Sequence, residues 1–321
     1  MVDIQGDMPK NPQQMQAEQD AAVTKSLDNI KNKLLVMSGK GGVGKTSTSV
    51  NLSIALANRG YKVGIIDVDL HGPDVPRMLG LEGAPEINQN KKLNPLSYSE
   101  NLKAISIESF TPNKDDAIIW RGPLKFSAIK QFIGEVDWQD LDFLVIDSPP
   151  GTGDEPLTVA QTITDAKAVI VTTPQEVALA DVRKSINFCK TVNMEIFGLL
   201  ENMSGFSCPH CNEVVNLFGS GGGEKTARQM GIPFLGKIPF DPRMVTCGDT
   251  TVMESPIPAP SAMASSLPRI MPYLPASRRP RSPPLICDTT SETSPSLSGK
   301  TPRSNAPLTC LPMLSMVSPR T

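Results

Sequence analysis

The chain carries the run Ser38-Gly39-Lys40-Gly41-Gly42-Val43-Gly44-Lys45-Thr46, which fits the phosphate-binding pattern G-x-x-x-x-G-K-[ST]. The apolar residues 34–37 precede it and predict a buried parallel strand. A helical run follows and is expected to end at Gly60, since glycine is a common helix stop. Because a strand, a loop and a helix in this order are the context that the pattern requires, we expect a nucleotide phosphate to bind here.

The residue types of this loop suit phosphate binding. Glycines let the backbone fold closely around phosphates and turn successive N–H groups inward, at the positive end of the following helix dipole. Lys45 is expected to neutralise the β- and γ-phosphate oxygens, and the Thr46 hydroxyl to bind Mg²⁺. The alternative is a glycine-rich turn with two surface lysines. The residues expected to bind the nucleotide are Gly39, Lys40, Gly41, Gly42, Val43, Gly44, Lys45, Thr46 and Ser47.

Lys40 departs from an ordinary phosphate loop. It lies early in the arch, where its side chain points more easily away from its own phosphates than toward them. A lysine so placed can reach a nucleotide held by a facing subunit and stabilise the transition-state charge there, as an arginine finger does. This interpretation gives Lys40 a catalytic role and indicates a homodimer. The alternative is a solvated lysine.

Acidic residues end two further predicted strands. Val63–Asp67 and Phe143–Asp147 are apolar runs that each close on an aspartate, and Asp69 follows the first of them. Carboxylates at the carboxyl ends of parallel strands lie where open α/β sheets bind ligands. We expect Asp147 to hold Mg²⁺ through water, and the loop at residues 148–153 to sense the γ-phosphate. The alternative for each acid is a solubilising carboxylate at the end of a strand.

The base of the nucleotide is predicted from a later strand, residues 196–201, which ends at Asn202. This strand is not followed by an Asn-Lys-x-Asp element to bond guanine, whereas the Asn202 amide can both donate and accept on an adenine edge. ATP is therefore the expected nucleotide.

A metal site is predicted at Cys208-Pro209-His210-Cys211. One C-x-x-C gives two thiolates, whereas a [4Fe–4S] cluster or a structural zinc usually needs four ligands. The remaining ligands come either from Cys189, Cys247 or His210, or from the same cysteine pair of a second subunit. Zinc or another metal, and a redox-active pair of cysteines, are the alternatives to an iron–sulfur cluster.

The phosphate loop from Lys40 to Ser47 resembles the deviant loop of the MinD/ParA/nitrogenase iron protein group. The later motifs make the chain similar to the Mrp/ApbC-type iron–sulfur cluster carriers, over residues from about 33 to about 248. The resemblance implies that Asp69 helps to position the attacking water, that Asp67 supports the magnesium shell, and that Asn202 contacts adenine. It also implies a cluster bridged between two protomers on Cys208 and Cys211.

These observations predict a three-layer α/β sandwich with a mostly parallel sheet, in the manner of deviant P-loop NTPases. The expected function is that of an ATP-hydrolysing homodimer that receives a [4Fe–4S] cluster from a scaffold and transfers it to apo-proteins. One alternative is a MinD/ParA-like positioning or partitioning ATPase, whose usual amphipathic basic helix or basic DNA-binding face is not evident in the sequence. The other is an ATP-dependent reductase that passes electrons from its cluster.

Composition sets the remaining expectations. The net charge of −2 gives no reason to expect nucleic acid or an anionic membrane as partner, and the six cysteines fit reduced thiols in a cytoplasmic protein. We expect residues 1–30 to be a flexible polar segment and residues 31–250 to form the ATPase and carrier domain. Residues 251–321, rich in Pro and Ser, predict a disordered tail that is either a genuine extension or a translation out of frame.

Overall fold

A computed structural model describes residues 12–69, 72–107, 122–208, 210–211 and 213–242. The helices of this part are α1 (Pro12–Leu27), α2 (Lys45–Ala57), α3 (Val75–Met78), α4 (Gly122–Glu135), α5 (Asp154–Thr162), α6 (Glu176–Thr191) and α7 (Gly222–Met230). The strands are β1 (Ile30–Ser38), β2 (Val63–Asp67), β3 (Glu86–Ile87), β4 (Leu93–Asn94), β5 (Leu96–Ser99), β6 (Leu102–Ser106), β7 (Leu141–Asp147), β8 (Lys167–Thr172), β9 (Glu195–Glu201), β10 (Phe206–Ser207), β11 (Val214–Val215) and β12 (Phe234–Lys237).

The main sheet has eight strands in the order β12-β9-β8-β1-β7-β2-β6-β5. Its neighbouring strands are parallel except at one edge, where β5 pairs with β6 in the antiparallel sense. The central strand β1 is buried on both faces: Leu35 and Met37 lie in one hydrophobic core, and Leu34 and Val36 lie in the other. Helices cover both faces of such a sheet, which confirms the predicted three-layer α/β sandwich.

The parallel strands bring the predicted site residues to one edge of the sheet. The phosphate loop follows β1, and Asp67 and Asp147 end the adjacent strands β2 and β7, where they are register partners. Asn202 follows β9 in the same sheet. Because parallel strands share the edge at which they end, residues far apart in sequence become neighbours there.

Of the segment predicted to be flexible, only residues 12–30 are described, and this part contains a packed helix. Residues 12–27 form α1, whose Val23 and Leu27 lie in the same core as residues of α4. The Ser26 hydroxyl donates a 2.6 Å hydrogen bond to the buried carbonyl of Val136. Few apolar residues mark this helix, so its periodicity is weak in the sequence, and packing against α4 supplies the stability that local propensity does not.

Several sequence predictions concern residues outside the described part. They include the tail at residues 251–321, with the domain boundary before it, and Cys247. None of the described helices is long and apolar enough to cross a membrane.

Replacing Leu27 by alanine tests whether α1 belongs to the folded domain. The side chain is buried, so truncation leaves a cavity and should lower the free energy of unfolding by about 2 kcal/mol, or the melting temperature by roughly 4–8 °C. Thermal unfolding followed by circular dichroism measures this change. The matched control is Gln16→Ala, at an exposed position of the same helix, which should melt like the wild type. Equal melting temperatures of both variants and the wild type would contradict the packing of α1.

Candidate functional site

Three of the four glycines of the phosphate loop cannot be replaced without strain or collision. Gly42 and Gly44 have φ angles of 77° and 80°, a left-handed conformation that side chains disfavour. A Cβ atom on Gly39 would lie 2.4 Å from the backbone carbonyl carbon of Asp181 in α6. Gly42 and Gly44 therefore allow the left-handed backbone of the loop, and Gly39 allows the close approach of α6.

Asp147 is the centre of a buried polar cluster at the end of β7. Its Oδ1 accepts hydrogen bonds from the Lys45 ammonium at 2.9 Å and from the Ser49 hydroxyl at 2.7 Å. Its Oδ2 accepts from the Thr46 hydroxyl at 2.8 Å. The carboxylate has no solvent exposure, so its charge is compensated entirely by these donors.

This cluster has the donor set of a magnesium site. Carboxylate and hydroxyl oxygens are the ligands that Mg²⁺ uses beside nucleotide phosphates, and the Thr46 and Asp147 oxygens lie within hydrogen-bonding distance of one another. The Lys45 ammonium already supplies a positive charge at this point. The residues present therefore fit a cation next to a phosphate group.

Asp67 is also buried, but its environment differs. Its Oδ1 accepts the N–H of Asp69 at 3.0 Å, and its Oδ2 accepts the N–H of Val75 at 3.1 Å. Burial raises the pKa of Asp67 well above its ordinary value, and the neighbouring carboxylate of Asp147 raises the pKa further. Asp67 thus holds the backbone after β2 in place, including that of the largely buried Asp69. Its support of the magnesium shell, and the role of Asp69 toward water, stay predictions.

Lys40 is half-buried at the start of the loop. Its backbone carbonyl accepts a 2.9 Å hydrogen bond from the Ser38 hydroxyl. Within the described residues the Lys40 ammonium has no hydrogen bond or ion pair, whereas the Lys45 ammonium is paired. Among the described residues, the ammonium of Lys45 is therefore paired and that of Lys40 is not. The action of Lys40 on a facing subunit stays a prediction.

The Asn202 amide lies against the phosphate loop. Its Nδ2 donates to the carbonyl of Val43 at 2.9 Å, and its own backbone N–H donates to the carbonyl of Thr172 at 2.7 Å. A Cβ atom on Gly44 would lie 2.3 Å from the same Nδ2, so the amide packs directly on this peptide. The structure thus gives Asn202 a contact that the sequence does not predict, and its contact with adenine stays a prediction.

Cys208 and Cys211 lie in the turn of a short hairpin. The strands β10 and β11 pair antiparallel on either side of the turn, and the N–H of Cys208 donates to the carbonyl of Glu213 at 3.0 Å. Backbone hydrogen bonds from His210 and Cys211 hold the pKa of the Cys208 thiol below its ordinary value. Both cysteines are free and at least partly exposed. The turn therefore favours a thiolate that is accessible to a metal.

The third described cysteine is unsuited to ligation. Cys189 is buried in the core, and its sulfur lies 3.4 Å from the sulfur of Met37. Burial raises the pKa of Cys189 to about 12. Within the described residues no group of three or more His, Cys, Asp or Glu side chains is arranged to hold a metal ion. The hairpin thus offers two thiolates per chain in this part.

Two buried residues of the site were missed by the sequence predictions. Ser49 lies one helical turn after Lys45, so its position on the same face of α2 signals its contact with Asp147. Glu201 has no solvent exposure and ends β9, as Asp67 and Asp147 end their strands. An acid at the end of an apolar strand was the available signal for it.

Residues 29–271 match the family model described as ParA: NUBPL iron-transfer P-loop NTPase. The chain is 49% identical over 226 residues to the iron–sulfur cluster carrier protein of Methanocaldococcus jannaschii, covering 70% of this chain and 78% of the relative. It is 45% identical over 238 residues to the cytosolic Fe-S cluster assembly factor CFD1 of Saccharomyces cerevisiae, covering 72% and 81%.

Solved structures agree with this assignment. A nucleotide-binding protein from Archaeoglobus fulgidus in complex with ADP is 38% identical, with a TM-score of 0.64 over 72% of this chain and 91% of that one. The cell division ATPase MinD of Pyrococcus furiosus, at 23% identity and a TM-score of 0.52 over 74% and 98%, shares the fold. The resemblance drawn from the motifs is confirmed, and the chain belongs to the NUBPL iron-transfer P-loop NTPase family.

Proposed function

We propose that this protein is an ATP-hydrolysing carrier that binds a [4Fe–4S] cluster as cargo and transfers it to apo-proteins. The observation that carries the proposal is the accessible pair Cys208 and Cys211 on a short hairpin. This hairpin follows strand β9, and Asn202, the first residue after β9, contacts the phosphate loop. The names of the relatives, a cluster carrier and a cluster assembly factor, support this function. The yeast relative is named cytosolic, which supports a cytoplasmic site of action.

In this proposal a second chain completes the cluster site. A [4Fe–4S] cluster takes four thiolates, and the hairpin of one chain provides Cys208 and Cys211. A homodimer with one pair from each subunit supplies the four ligands. Exposed apolar side chains next to the cysteines support such an interface, since contiguous apolar patches mark contact surfaces. They are Val214, Val215, Leu217 and Phe218.

The nucleotide chemistry follows from the cluster around Asp147. Mg²⁺ would be held by Thr46 and Asp147 and would neutralise phosphate charge during hydrolysis. Lys45 turns from Asp147 toward the β- and γ-phosphates, and Ser49 continues to donate to the carboxylate. Asp69 orients the attacking water. Lys40 of a facing subunit stabilises the charge that develops on the phosphate.

Lys45→Ala tests the phosphate site. The variant loses the charge that neutralises the phosphates, so ATP hydrolysis should fall to background. Thr46 and Ser49 still donate to Asp147, so the domain should stay folded, at a lower melting temperature because a buried charge has lost its partner. Phosphate release and thermal unfolding measure the two effects. Hydrolysis at the wild-type rate would exclude this loop as the catalytic site.

Lys40→Ala tests the proposed action across the dimer. Because the Lys40 ammonium has no partner among the described residues, its removal should leave the melting temperature unchanged. ATP hydrolysis should fall by about 10³-fold, as for loss of an arginine finger, with a smaller loss of ATP binding. Separate assays of hydrolysis and binding check this split. The matched control is Lys225→Ala, an exposed lysine of α7, which should hydrolyse ATP normally.

Cys208→Ser and Cys211→Ser test the cluster site. After anaerobic reconstitution with iron and sulfide, the wild type should contain about four irons per dimer. Either variant should lose the iron and the cluster-dependent dimer, yet bind ATP, because the cysteines lie outside the phosphate loop. Iron analysis and size measurement give the result. The control is Cys189→Ala, since that thiol is packed in the core. One zinc per monomer that survives in Cys208→Ser would contradict a bridging cluster.

A further inference from the structure

A short segment joins the phosphate loop to the cysteines. We call residues 202–208 the strap. At its start, Asn202 donates its amide N–H to the carbonyl of Val43, and at its end stands Cys208. The six steps between consecutive residues from Asn202 to Cys208 span at most about 22 Å when extended. The cysteine hairpin is therefore attached, over a short length of chain, to a side chain that touches the nucleotide loop.

The contact between strap and loop is tight. The side chains of Asn202 and Met203 both face Gly44: a Cβ atom there would lie 2.3 Å from the asparagine Nδ2 and 3.7 Å from the methionine Cε. Met203 has a φ angle of 56°, a left-handed conformation that is uncommon for a residue with a side chain. Strained backbone persists only where neighbours fix it, and here it brings two consecutive side chains onto one peptide.

The strap is anchored behind this contact by Glu201. The Glu201 carboxylate is fully buried and accepts hydrogen bonds from the Ser204 hydroxyl at 2.5 Å, from the N–H of Gly221 at 2.8 Å, and from the N–H of Gly223. It thus ties the strap to the N-terminal end of α7. Glu201 and Ser204, on either side of Asn202 and Met203, are held by these hydrogen bonds. A displacement of Asn202 is therefore transmitted along the strap and is not absorbed by a loose loop.

The loop contact is sensitive to nucleotide because of its place in the sequence. The Val43–Gly44 peptide directly precedes Lys45, whose ammonium is bound to Asp147 in this structure. Phosphate binding draws Lys45 away from Asp147 and engages the backbone N–H groups of the loop. The movement of Lys45 and the binding of phosphate by the loop N–H groups both take place next to the Val43–Gly44 peptide. The strap can respond to them through the hydrogen bond between the Val43 carbonyl and Asn202.

We propose that Asn202 is a positioning residue that couples the phosphate loop to the cysteine hairpin, so that a bound nucleotide changes the accessibility of Cys208 and Cys211. This inference rests on the proposed carrier function and gives it a route from ATP to cargo. The Asn202 amide follows the position of the Val43 carbonyl through their hydrogen bond, and the anchored strap transmits this displacement to the hairpin. Contact with adenine is a different role, which requires the amide to face the base.

The test uses the full-length, reduced, metal-free protein. Alkylation of Cys208 and Cys211 by iodoacetamide is followed by mass spectrometry, residue by residue, with and without a saturating ATP analogue that resists hydrolysis. In the wild type the nucleotide should change the rate by about fivefold, the lower end of ordinary coupling between sites. In Asn202→Ala the ratio of the two rates should fall to about one, while the analogue still binds and saturates.

Two further variants separate coupling from loss of fold. Asn202→Asp keeps the size of the side chain but replaces the donor to Val43 by an acceptor, so it should also uncouple the sites. Ser204→Ala removes a hydrogen bond to Glu201 on the partly exposed strap and should reduce the ratio without touching the phosphate loop. The matched control is Asn187→Ala, on the exposed face of α6, which should keep the wild-type ratio.

Other outcomes overturn the proposal. If Asn202→Ala binds the analogue more weakly but keeps the wild-type ratio at saturation, Asn202 contacts the base and does not couple the sites. If the wild type shows no effect of the nucleotide, the strap transmits nothing. Neither outcome concerns cluster binding, because the assay contains no iron. Failure of the carrier function itself would appear in the iron content of the reconstituted wild type.

Discussion

The buried carboxylate of Asp147 is the group on which the arrangement of this site depends. A charge without solvent exposure is costly unless donors surround it, and here an ammonium and two hydroxyls do so. All three donors come from the first turns of α2, so the interaction fixes that helix, and the loop before it, against the end of β7. The same groups suit a phosphate and a divalent cation. The resting state thus uses for its stability the residues that the proposed reaction uses for catalysis.

Three strand-end acids of one sheet show how environment assigns different roles to one chemical group. Asp147 is paired with a cation, Asp67 accepts two backbone N–H groups beside it, and Glu201 accepts two N–H groups at the start of α7. The first can exchange its partner when a nucleotide arrives. The other two accept hydrogen bonds from neighbouring backbone, Asp67 from the segment after β2 and Glu201 from the start of α7. Of these three acids, Asp147 is therefore the one that changes its partner in the proposed reaction, whereas Asp67 and Glu201 keep theirs.

The cysteines show the same effect of environment. Cys208 lies in an exposed turn where backbone N–H groups lower the pKa of its thiol, whereas burial among apolar residues raises the pKa of Cys189 to about 12. Only the first has a thiolate within reach of a metal. The exposed apolar residues beside the hairpin form the surface proposed for a second chain, and the strap connects this surface to the phosphate loop. The proposed cargo site and the nucleotide site are joined through a few consecutive residues.

The sequence by itself determined the phosphate loop, the strand-end acids Asp67 and Asp147, the cysteine pair and the α/β class, because these depend on local spacing and on the order of strand, loop and helix. Only the tertiary structure decided that residues 12–27 pack as a helix on α4, since their apolar residues are too few to reveal a buried face. It also decided that the Asn202 amide donates to the carbonyl of Val43 and that Glu201 accepts an N–H at the start of α7. Those contacts join residues up to 159 positions apart, and a sequence pattern cannot show which strand ends meet until the order of the strands is known.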